Sequence, residues 1–450
     1  MYLRRLVAGV LGLCILLTFA AVAVKVARSD RVAFAASQIV ESSHARLIRI
    51  GGRDVTTINV ASTAELVAGL KVAKGGETFL LAPGTYSGID FKIAPRFENP
   101  VTITSADPIN QAIVTDFRMR NAEGFNFTQL EFATIIQPDR VANDGSYWAY
   151  NFRDCANMTF DRITVHGSLD GNASNDVSGI TLSGSKNVTI TNSEFQQLER
   201  AVAFGGGTNI KLIGNNLHDL RTDGFNFVQV QQVEIRGNIF RDFDPAQGDH
   251  PDAIQFWTSR SNAPSTDILI AGNIILKGDG DHTQGIFLRD QIGTLPYERV
   301  TITDNLLIGT GYNGIRIQGA KDITITNNNL VTFDGGLKTF MLVQGAEGVN
   351  ASGNSAAYVA FEQSSNVTQT DNQSAGPVKD EGEAAIRQWF EAHPAEGAQL
   401  RGMLPVDFVL PYTFFDPIVP SHTITYLDGQ FGYDGLDFGS YGGASGFLFA

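Results

Sequence analysis

The second half of the chain repeats a short alternation of apolar and polar residues that ends in asparagine. The copies are IKLIGN, VEIRGN, ILIAGN, VTITDN, ITITNN, VNASGN and VTQTDN, and their last residues are Asn215, Asn238, Asn273, Asn305, Asn328, Asn354 and Asn372. Successive asparagines are 23, 35, 32, 23, 26 and 18 residues apart. Alternation over a few residues predicts strands, and a recurring period broken by insertions is typical of a solenoid.

Short strands at this spacing favour one architecture. Each repeat is too small to bury its apolar face alone, so neighbouring repeats have to stack. Crossovers between parallel strands are overwhelmingly right-handed. We therefore predict an all-β fold, a right-handed parallel β-helix (solenoid), over residues 52–380. The asparagines are expected to adopt the left-handed backbone of a tight turn and to stack as a ladder of amides from one rung to the next.

Both ends of the solenoid are expected to be covered, because a bare terminal rung exposes an unpaired sheet edge. In STAELVAGLKVAKGG, Ser62 and Glu65 have the spacing of a helix capping box, and the following apolar residues share one face, which predicts an N-terminal cap helix. Residues 381–450 are predicted to begin with a cap helix at 381–393, over the last rungs, and to continue as a tail rich in glycine and aromatic residues.

Residues 1–36 carry the pattern of an export signal. An uncharged apolar run of 19 residues, from Leu6 to Val24, lies between two basic stretches, and Ala33-Phe34-Ala35 offers small residues for cleavage. The run is also long enough to cross a bilayer, so a membrane anchor is the alternative. In both cases the body of the protein is predicted to be exported, periplasmic or extracellular. It holds a single cysteine, Cys155, so internal disulfides cannot stabilise it.

The charge balance limits the partners. The formal net charge is −14, from 47 acidic and 33 basic residues, which argues against nucleic acid as a ligand. An acidic ligand would need a local group of basic residues. We expect a monomer that meets a membrane only through the N-terminal segment, if that segment is kept.

A second set of strands follows the turns and brings polar residues into register. These strands begin with GITL at 179, AVAF at 201, GFNF at 224, AIQF at 253, GIFL at 285 and GIRI at 314. Equivalent positions on adjacent rungs lie about 4.8 Å apart. The position before each strand holds Ser178, Arg200, Asp223, Asp252, Gln284 and Asn313, and the position three before the later strands holds Arg221, His250, His282 and Gly311.

The two longest asparagine spacings are the ones that deliver His250 and His282, and functional residues of solenoids tend to lie in such insertions. Outward positions of the same strands add amides, an aromatic residue and two arginines. We predict catalytic roles for His250, Asp252, Asp223, His282 and Arg316. We predict substrate contacts by Arg289, Gln255, Trp257, Arg221 and Asn226.

The GDGD sequence at 278–281 is a candidate for a metal site. Asp279 and Asp281 offer two carboxylates to calcium, which takes several oxygen ligands. A loop tip without a metal is the alternative. Calcium is therefore an optional cofactor in this interpretation, and none is required.

The opening of the predicted solenoid resembles that of a group of secreted enzymes. A cap helix followed by GGETFLLAPGTYSG and PVTITSADP is similar to the start of β-helix enzymes that act on acidic polysaccharides, including alginate and chondroitin lyases and mannuronan epimerases. The likeness covers roughly residues 55–375. The contiguous Asp-Pro-His-Asp motif of the epimerases is not found, because DPAQGDHPD separates those residues.

This resemblance implies an acidic polysaccharide as the partner and removal of the proton next to a uronate carboxylate as the reaction. Such a step needs a base at the carbon and a positive group at the carboxylate. His250 or His282 would be the base, and Arg289 and Arg316 would bind the carboxylate. Loss of the neighbouring glycosidic oxygen gives a lyase, whereas reprotonation from the opposite face gives a C5-epimerase.

Two alternatives stay open. TDGFNF, GDHPDAIQF and GIRIQG are similar in order to the active-site rungs of polygalacturonase-type hydrolases, which implies that Asp223 and Asp252 are catalytic acids and that Arg316 binds substrate. Gln284 and Gln318 depart from that family, which has histidine and lysine there. The third interpretation is a structural or glycan-binding solenoid without turnover.

Overall fold

The described residues form a right-handed parallel β-helix, as predicted. The structure is a computed structural model, and it describes residues 46–50, 53–134, 148–400 and 403. Rungs contain up to three short strands that pair in parallel with the equivalent strands of neighbouring rungs. One antiparallel pair, Arg46–Ile50 with Arg53–Val60, precedes the rungs. The stacked strands make three faces, named here in the order in which a rung passes through them.

The first face carries the candidate residues. Its strands are Ile89–Phe91, Phe117–Arg120, Trp148–Arg153, Phe225–Val228, Asp252–Trp257, Gln284–Arg289 and Val359–Glu362, together with the first parts of the long strands Ser178–Thr191, Val202–Ile213, Asn313–Thr326 and Phe340–Ser352.

The other two faces complete each rung. The second face contains the remaining parts of those long strands and Arg53–Val60, Thr78–Leu81, Arg96–Ser105, Glu123–Thr128, Ala156–Asp161, Gln231–Arg236, Thr266–Ala271, Tyr297–Thr303 and Ser365–Thr370. The third face consists of the shortest strands, Thr85–Tyr86, Ile113–Val114, Glu131–Ala133, Thr164–His166, Glu194–Gln196, Asn216–His218, Ile239–Arg241, Ile274–Leu276, Leu306–Ile308, Asn329–Val331, Ser355–Ala356 and Gln373–Ser374.

The interior is a stack of apolar side chains in strand register. On the first face Phe204, Phe227 and Phe256 occupy equivalent positions on three successive rungs. Their rings stack, with centroids 5.5 Å apart for the first pair and 4.3 Å for the second. Because alternate residues of a strand point to opposite sides, this inward stack fixes which side chains of the same strands point outward.

The asparagine ladder forms as predicted. Asn305 is fully buried, and its Nδ2 donates to Oδ1 of Asn328 at 2.9 Å, while its backbone N–H donates to the same oxygen at 3.1 Å. The side-chain bond recurs along the whole series from Asn215 to Asn372. The left-handed backbone, however, belongs to the residue before each asparagine, for example Asp304 with φ of 57°. The asparagine itself is needed for its inward amide.

The predicted N-terminal cap helix is present as α1, Thr63–Val72. The Ser62 side chain accepts a hydrogen bond from the backbone of Glu65 at 3.3 Å, as a capping residue does. Leu66 and Leu70 on its inner face are fully buried in the main core.

Two C-terminal helices, α2 (Glu383–Ala392) and α3 (Pro394–Leu400), lie beside the third face. Trp389 and Phe390 of α2 pack in a second apolar cluster with outward side chains of the third-face strands, including Ile274 and Leu306. The indole Nε1 of Trp389 donates to the carbonyl of Asp304 at 2.9 Å. This position along the middle rungs differs from the one predicted over the last rungs, because the aliphatic outer surface of the third face offers the helix a larger apolar contact.

Several predictions fall outside the described residues. These are the signal or anchor at 1–36 and nearly all of the tail that follows Leu400. Within the described ranges, no helix has the length and apolar character needed to span a membrane. Cys155 is a free, buried thiol.

Candidate functional site

The predicted column of polar residues lies where the loops from the third face enter the first face. Asp252 pairs directly with Gln284, and the strand pairing on either side places Asp223 level with Asp252 and Asn313 level with Gln284. The register derived from the sequence is therefore the register of the structure, and these four residues occupy four successive rungs.

Asp223 and Asp252 are joined by two amide side chains. Asn226 Nδ2 donates to Asp223 Oδ2 and to Gln255 Oε1, each at 2.8 Å, and Gln255 Nε2 donates to Asp252 Oδ2 at 2.5 Å. All four residues are at most 8% exposed. Asn226 and Gln255, predicted to bind substrate, thus hold the two carboxyl groups in place below the surface.

Burial and mutual repulsion change the ionisation of this pair. Loss of solvent, together with the charge of Asp252, raises the pKa of Asp223 to about 7, and Arg200, whose Nε lies 3.4 Å from Asp223 Oδ2, opposes the shift. Burial also raises the pKa of Asp252, against the effect of His250. Close carboxyl groups resist joint ionisation. Since His250 favours the charged form of Asp252, we assign the retained proton to Asp223.

His250 is the accessible member of the site. Its side chain is 60% exposed, and its Nδ1 lies 3.3 Å from Oδ2 of Asp252, which is fully buried. The hydrogen bond to Asp252 is the main cause that raises the pKa of His250. A proton on Nδ1, the ring nitrogen that faces Asp252, would leave the lone pair on Nε2. The amide of Gln284 contacts that nitrogen, and Asn313 donates to the Gln284 carbonyl.

Arg221 holds the loop that carries His250. Its Nε donates to Asp249 Oδ2 at 2.5 Å and its Nη2 to Asp249 Oδ1 at 3.3 Å. Asp249 also accepts a hydrogen bond from the backbone of Ala246 at 3.1 Å. A bidentate ion pair of this kind fixes geometry as well as charge. Arg221, predicted to bind substrate, is therefore engaged in positioning the residue next to His250.

His282 is level with His250 on the next rung but makes a separate contact. Its side chain is exposed, and Nδ1 lies 3.1 Å from the carbonyl oxygen of Gly309. The strand register alone therefore brings the two histidines onto adjacent rungs, and only His250 is paired with a buried carboxylate.

The GDGD loop is held by the residues that directly follow the third-face strand Ile239–Arg241 on the neighbouring rung. The backbone N–H of Asp279 donates to Asp242 Oδ1 at 2.8 Å, and that of Asp281 donates to the Phe243 carbonyl at 2.7 Å. In the described ranges, no three His, Cys, Asp or Glu side chains are grouped so that they could bind a metal ion. Calcium can also bind backbone and amide oxygens, so a calcium site at Asp279 and Asp281 stays a prediction.

Trp257 and Arg289 lie at the far end of the first-face strands. They pair with each other on adjacent rungs, and both are exposed. Trp257 lies five positions after Asp252 in the strand, which places this end about 16 Å from the buried pair. Trp257 and Arg289 therefore lie apart from the buried pair, and their contacts with a substrate stay a prediction.

Arg316 lies nearer the histidine. It pairs with Phe287 of the preceding rung, and the Phe287 ring is 6.3 Å from the His250 ring. Arg316 is half-buried, and its Nη2 donates to Gln344 Oε1 at 2.7 Å. Phe287, which sequence reasoning missed, therefore forms the surface between the histidine and the arginine.

The column also continues beyond the last residue predicted for it. Asn313 pairs with Phe340, and Phe340 is level with Tyr358 on the following rung. The signal was present in the sequence, because FMLV at 340 and VAFE at 359 repeat the first-face strand pattern.

Comparison with known proteins supports the architecture. The family model "Right handed beta helix region" matches residues 140–248. No curated protein matches the chain.

Solved structures with a similar fold have diverse activities. They include a mannuronic acid specific family 6 polysaccharide lyase from human gut microbiota (12% identity, TM-score 0.49, covering 77% of this chain and 99% of that chain). They also include the surface adhesin PfbA of Streptococcus pneumoniae (13%, 0.41, 72% and 84%) and a family 28 exopolygalacturonase of Yersinia enterocolitica (13%, 0.41, 74% and 77%). These likenesses concern the fold alone. The choice of function rests on the site.

Proposed function

We propose that the protein is an exported enzyme that acts on an acidic, uronate-containing polysaccharide by removing the proton next to the carboxylate. The observation that carries the proposal is the pairing of exposed His250 with fully buried Asp252, at 3.3 Å between Nδ1 and Oδ2. A carboxylate behind an imidazole sets its tautomer and leaves Nε2 as the proton acceptor. An oriented and accessible base is what proton abstraction from carbon requires.

Arg316 would support the negative charge that develops on the carboxylate of the reacting unit, and Arg289, at the far end of the strands, would bind a carboxylate further along the polymer. Arg316 lies on the rung next to Phe287, and Arg289 ends the Phe287 strand. A guanidinium group can bind a carboxylate through two parallel hydrogen bonds and stabilise added charge there. In a chain with a net charge of −14, such local cations give an acidic polymer a defined place to bind.

The reaction then has two possible outcomes from one step. Nε2 of His250 takes the proton from C5 of the uronate, and the electron pair is delocalised into the carboxylate. In a lyase that pair forms the C4–C5 double bond, and the glycosidic oxygen leaves C4 and takes up a proton. In an epimerase a proton returns to C5 from the opposite face. The Gln284 amide, which contacts Nε2, would move aside for the substrate.

Glycoside hydrolysis by the paired aspartates is the second candidate. The pKa of about 7 for Asp223 describes a carboxyl group that can still hold a proton at neutral pH, as a general acid must. However, Asp223 and Asp252 are only 5% and 0% exposed. Neither carboxyl group reaches the surface in this structure, so hydrolysis ranks behind proton abstraction by His250.

Product analysis tests the proposal. The wild type, His250→Ala and His282→Ala would be incubated with alginate, polygalacturonate, chondroitin and neutral polymers, with circular dichroism as the folding control. Unsaturated ends or inverted uronates, reduced about 10²- to 10⁴-fold in His250→Ala but not in His282→Ala, would assign the base to His250.

Other products would contradict the proposal. Saturated reducing ends that disappear in Asp223→Asn and persist in His250→Ala would make the protein a hydrolase. Binding of a polymer that stays chemically unchanged would make it a glycan-binding protein.

A further inference from the structure

Two exposed tyrosines and a half-buried phenylalanine lie on neighbouring rungs near the end of the first face. Tyr312 is 56% and Tyr358 41% exposed, and the rings of Phe340 and Tyr358 lie 5.5 Å apart at an angle of 58°. The backbone N–H of Phe340 donates to the Tyr312 carbonyl at 3.0 Å, and that of Met341 donates to the Tyr358 carbonyl at 3.0 Å, so the backbones of the three residues lie on neighbouring rungs. Tyr312, Phe340 and Tyr358 are called the aromatic platform below. Large aromatic side chains clustered at a surface commonly mark a binding site.

The aromatic platform is continuous with the candidate site. The column runs from Gln284, which contacts His250, to Asn313, then to Phe340 and Tyr358 on the next two rungs. Since rungs are about 4.8 Å apart, these two rings lie about 10 and 14 Å from Gln284 along the solenoid axis. A ligand that contacts both His250 and the aromatic platform must therefore be an extended chain parallel to that axis.

We propose that the aromatic platform is a sugar-binding subsite for a distant unit of the polysaccharide chain whose reacting unit lies at His250. The inference rests on the proposed function for the identity of the reacting unit. One face of a pyranose ring is lined by C–H groups and packs on an aromatic ring through dispersion and loss of apolar surface. The three side chains of the aromatic platform are uncharged, so they would contact the ring face of the sugar.

The surroundings favour a glycan over a protein partner. Along the column the aromatic platform is followed by the amides of Asn313 and Gln284, which are half-buried. The buried centre of a protein interface is more apolar and fully desolvated. Aromatic rings next to partly exposed hydrogen-bonding groups suit a ligand that has apolar ring faces and hydroxyl edges.

Chain length provides the test. Full-length protein carrying His250→Ala, which cannot consume the ligand, would be titrated with the disaccharide and octasaccharide of mannuronate, of galacturonate and of neutral cellulose. Adding Tyr312→Ala and Tyr358→Ala should weaken octasaccharide binding about 10- to 100-fold and leave disaccharide binding unchanged. Tyr358→Phe should keep the affinity because the ring is retained. Ile109→Ala, an exposed apolar residue elsewhere, is the surface control.

Three other results would overturn the inference, and one would support it while the proposed reaction fails. An unchanged octasaccharide affinity in the double tyrosine variant overturns the inference, as does a parent protein that binds none of the six probes. Self-association that the tyrosines control, measured by sedimentation, would make the aromatic platform a contact between copies and also overturn it. Tyrosine-dependent binding of long chains without any turnover by wild-type protein would support the subsite while the proposed reaction fails.

Discussion

Replacement of a buried ladder asparagine by leucine should destabilise the solenoid by much more than one hydrogen bond. Asn305 is fully buried, and its Nδ2 donates to Oδ1 of Asn328 and to the carbonyls of Ile270 and Thr303 at 2.9 to 3.0 Å. Its Oδ1 accepts from the backbone N–H and from Nδ2 of Asn273 at 3.0 and 2.9 Å. Leucine has the same number of side-chain heavy atoms and makes none of these bonds.

The magnitude follows from the groups that are left behind. Asn328 Oδ1 keeps the backbone N–H of residue 305, and Asn273 Nδ2 keeps the carbonyl of Ile235. The backbone N–H of Asn273 and the second N–H of its side chain lose their acceptor in a buried position. Each buried group without a partner costs about 1–3 kcal/mol. We therefore expect Asn305→Leu to lower the free energy of unfolding by about 2–6 kcal/mol.

Asn372→Leu is the matched control. Asn372 makes the same ladder bonds to Asn354, at 3.1 and 2.8 Å, but it is half-buried on the terminal rung, where water can replace them. Asn354, which would lose this acceptor, is itself 1% exposed, so the cost should be smaller than for Asn305→Leu but not negligible. Urea unfolding followed by circular dichroism would compare midpoints and slopes, because stacked repeats need not unfold in one step. Equal midpoint shifts for the two variants would refute the assignment of the energy to buried, unpaired groups.

Three further predictions concern the site and the core. Proton abstraction needs neutral His250, so activity should rise with pH through a pKa above the usual histidine value of about 6.5. In Asp252→Asn this rise should shift to lower pH, because the carboxylate that raises the pKa of His250 is removed. A pH–rate profile that is the same in Asp252→Asn and wild type would exclude this pairing. Arg221→Ala should free Asp249 and the His250 loop and lower kcat/KM about tenfold or more, with an unchanged unfolding midpoint; full activity would show that the loop needs no such anchor. Burial raises the pKa of the Cys155 thiol to about 11, so mass spectrometry should find it alkylated at neutral pH only after unfolding, and rapid labelling of the native protein would contradict its burial.

The register could be predicted because the sequence marks every rung. The asparagines give the rung boundaries, and alignment of the strand starts AIQF and GIFL placed Asp252 level with Gln284, as the structure does. The residue that adopts the left-handed backbone of the turn was not predicted correctly. An inward amide and a left-handed backbone are both typical of asparagine, and the structure divides these roles between Asn305 and Asp304.

The third-face strands indicated where the C-terminal helix packs, but a search for alternating apolar and polar residues does not detect them. The third-face strands Ile274–Leu276 and Leu306–Ile308 read IIL and LLI, without a polar residue. Strands that are apolar at every position are buried on both sides. A search for such strands would have shown that this outer surface is covered, and Trp389 of α2 is one of the residues that cover it.

Exposure within the site could not be predicted, and the choice of mechanism depends on it. The sequence places His250 and Asp252 two residues apart, but it does not say which of them faces solvent. That outcome depends on distant residues, since Gln255 bonds to the inward carboxylate and Arg221 holds the loop. If Asp252 were exposed and His250 covered, the paired aspartates would meet the glycan and hydrolysis would be favoured. With the imidazole outward and the carboxylate behind it, the same residues favour a base that acts on carbon.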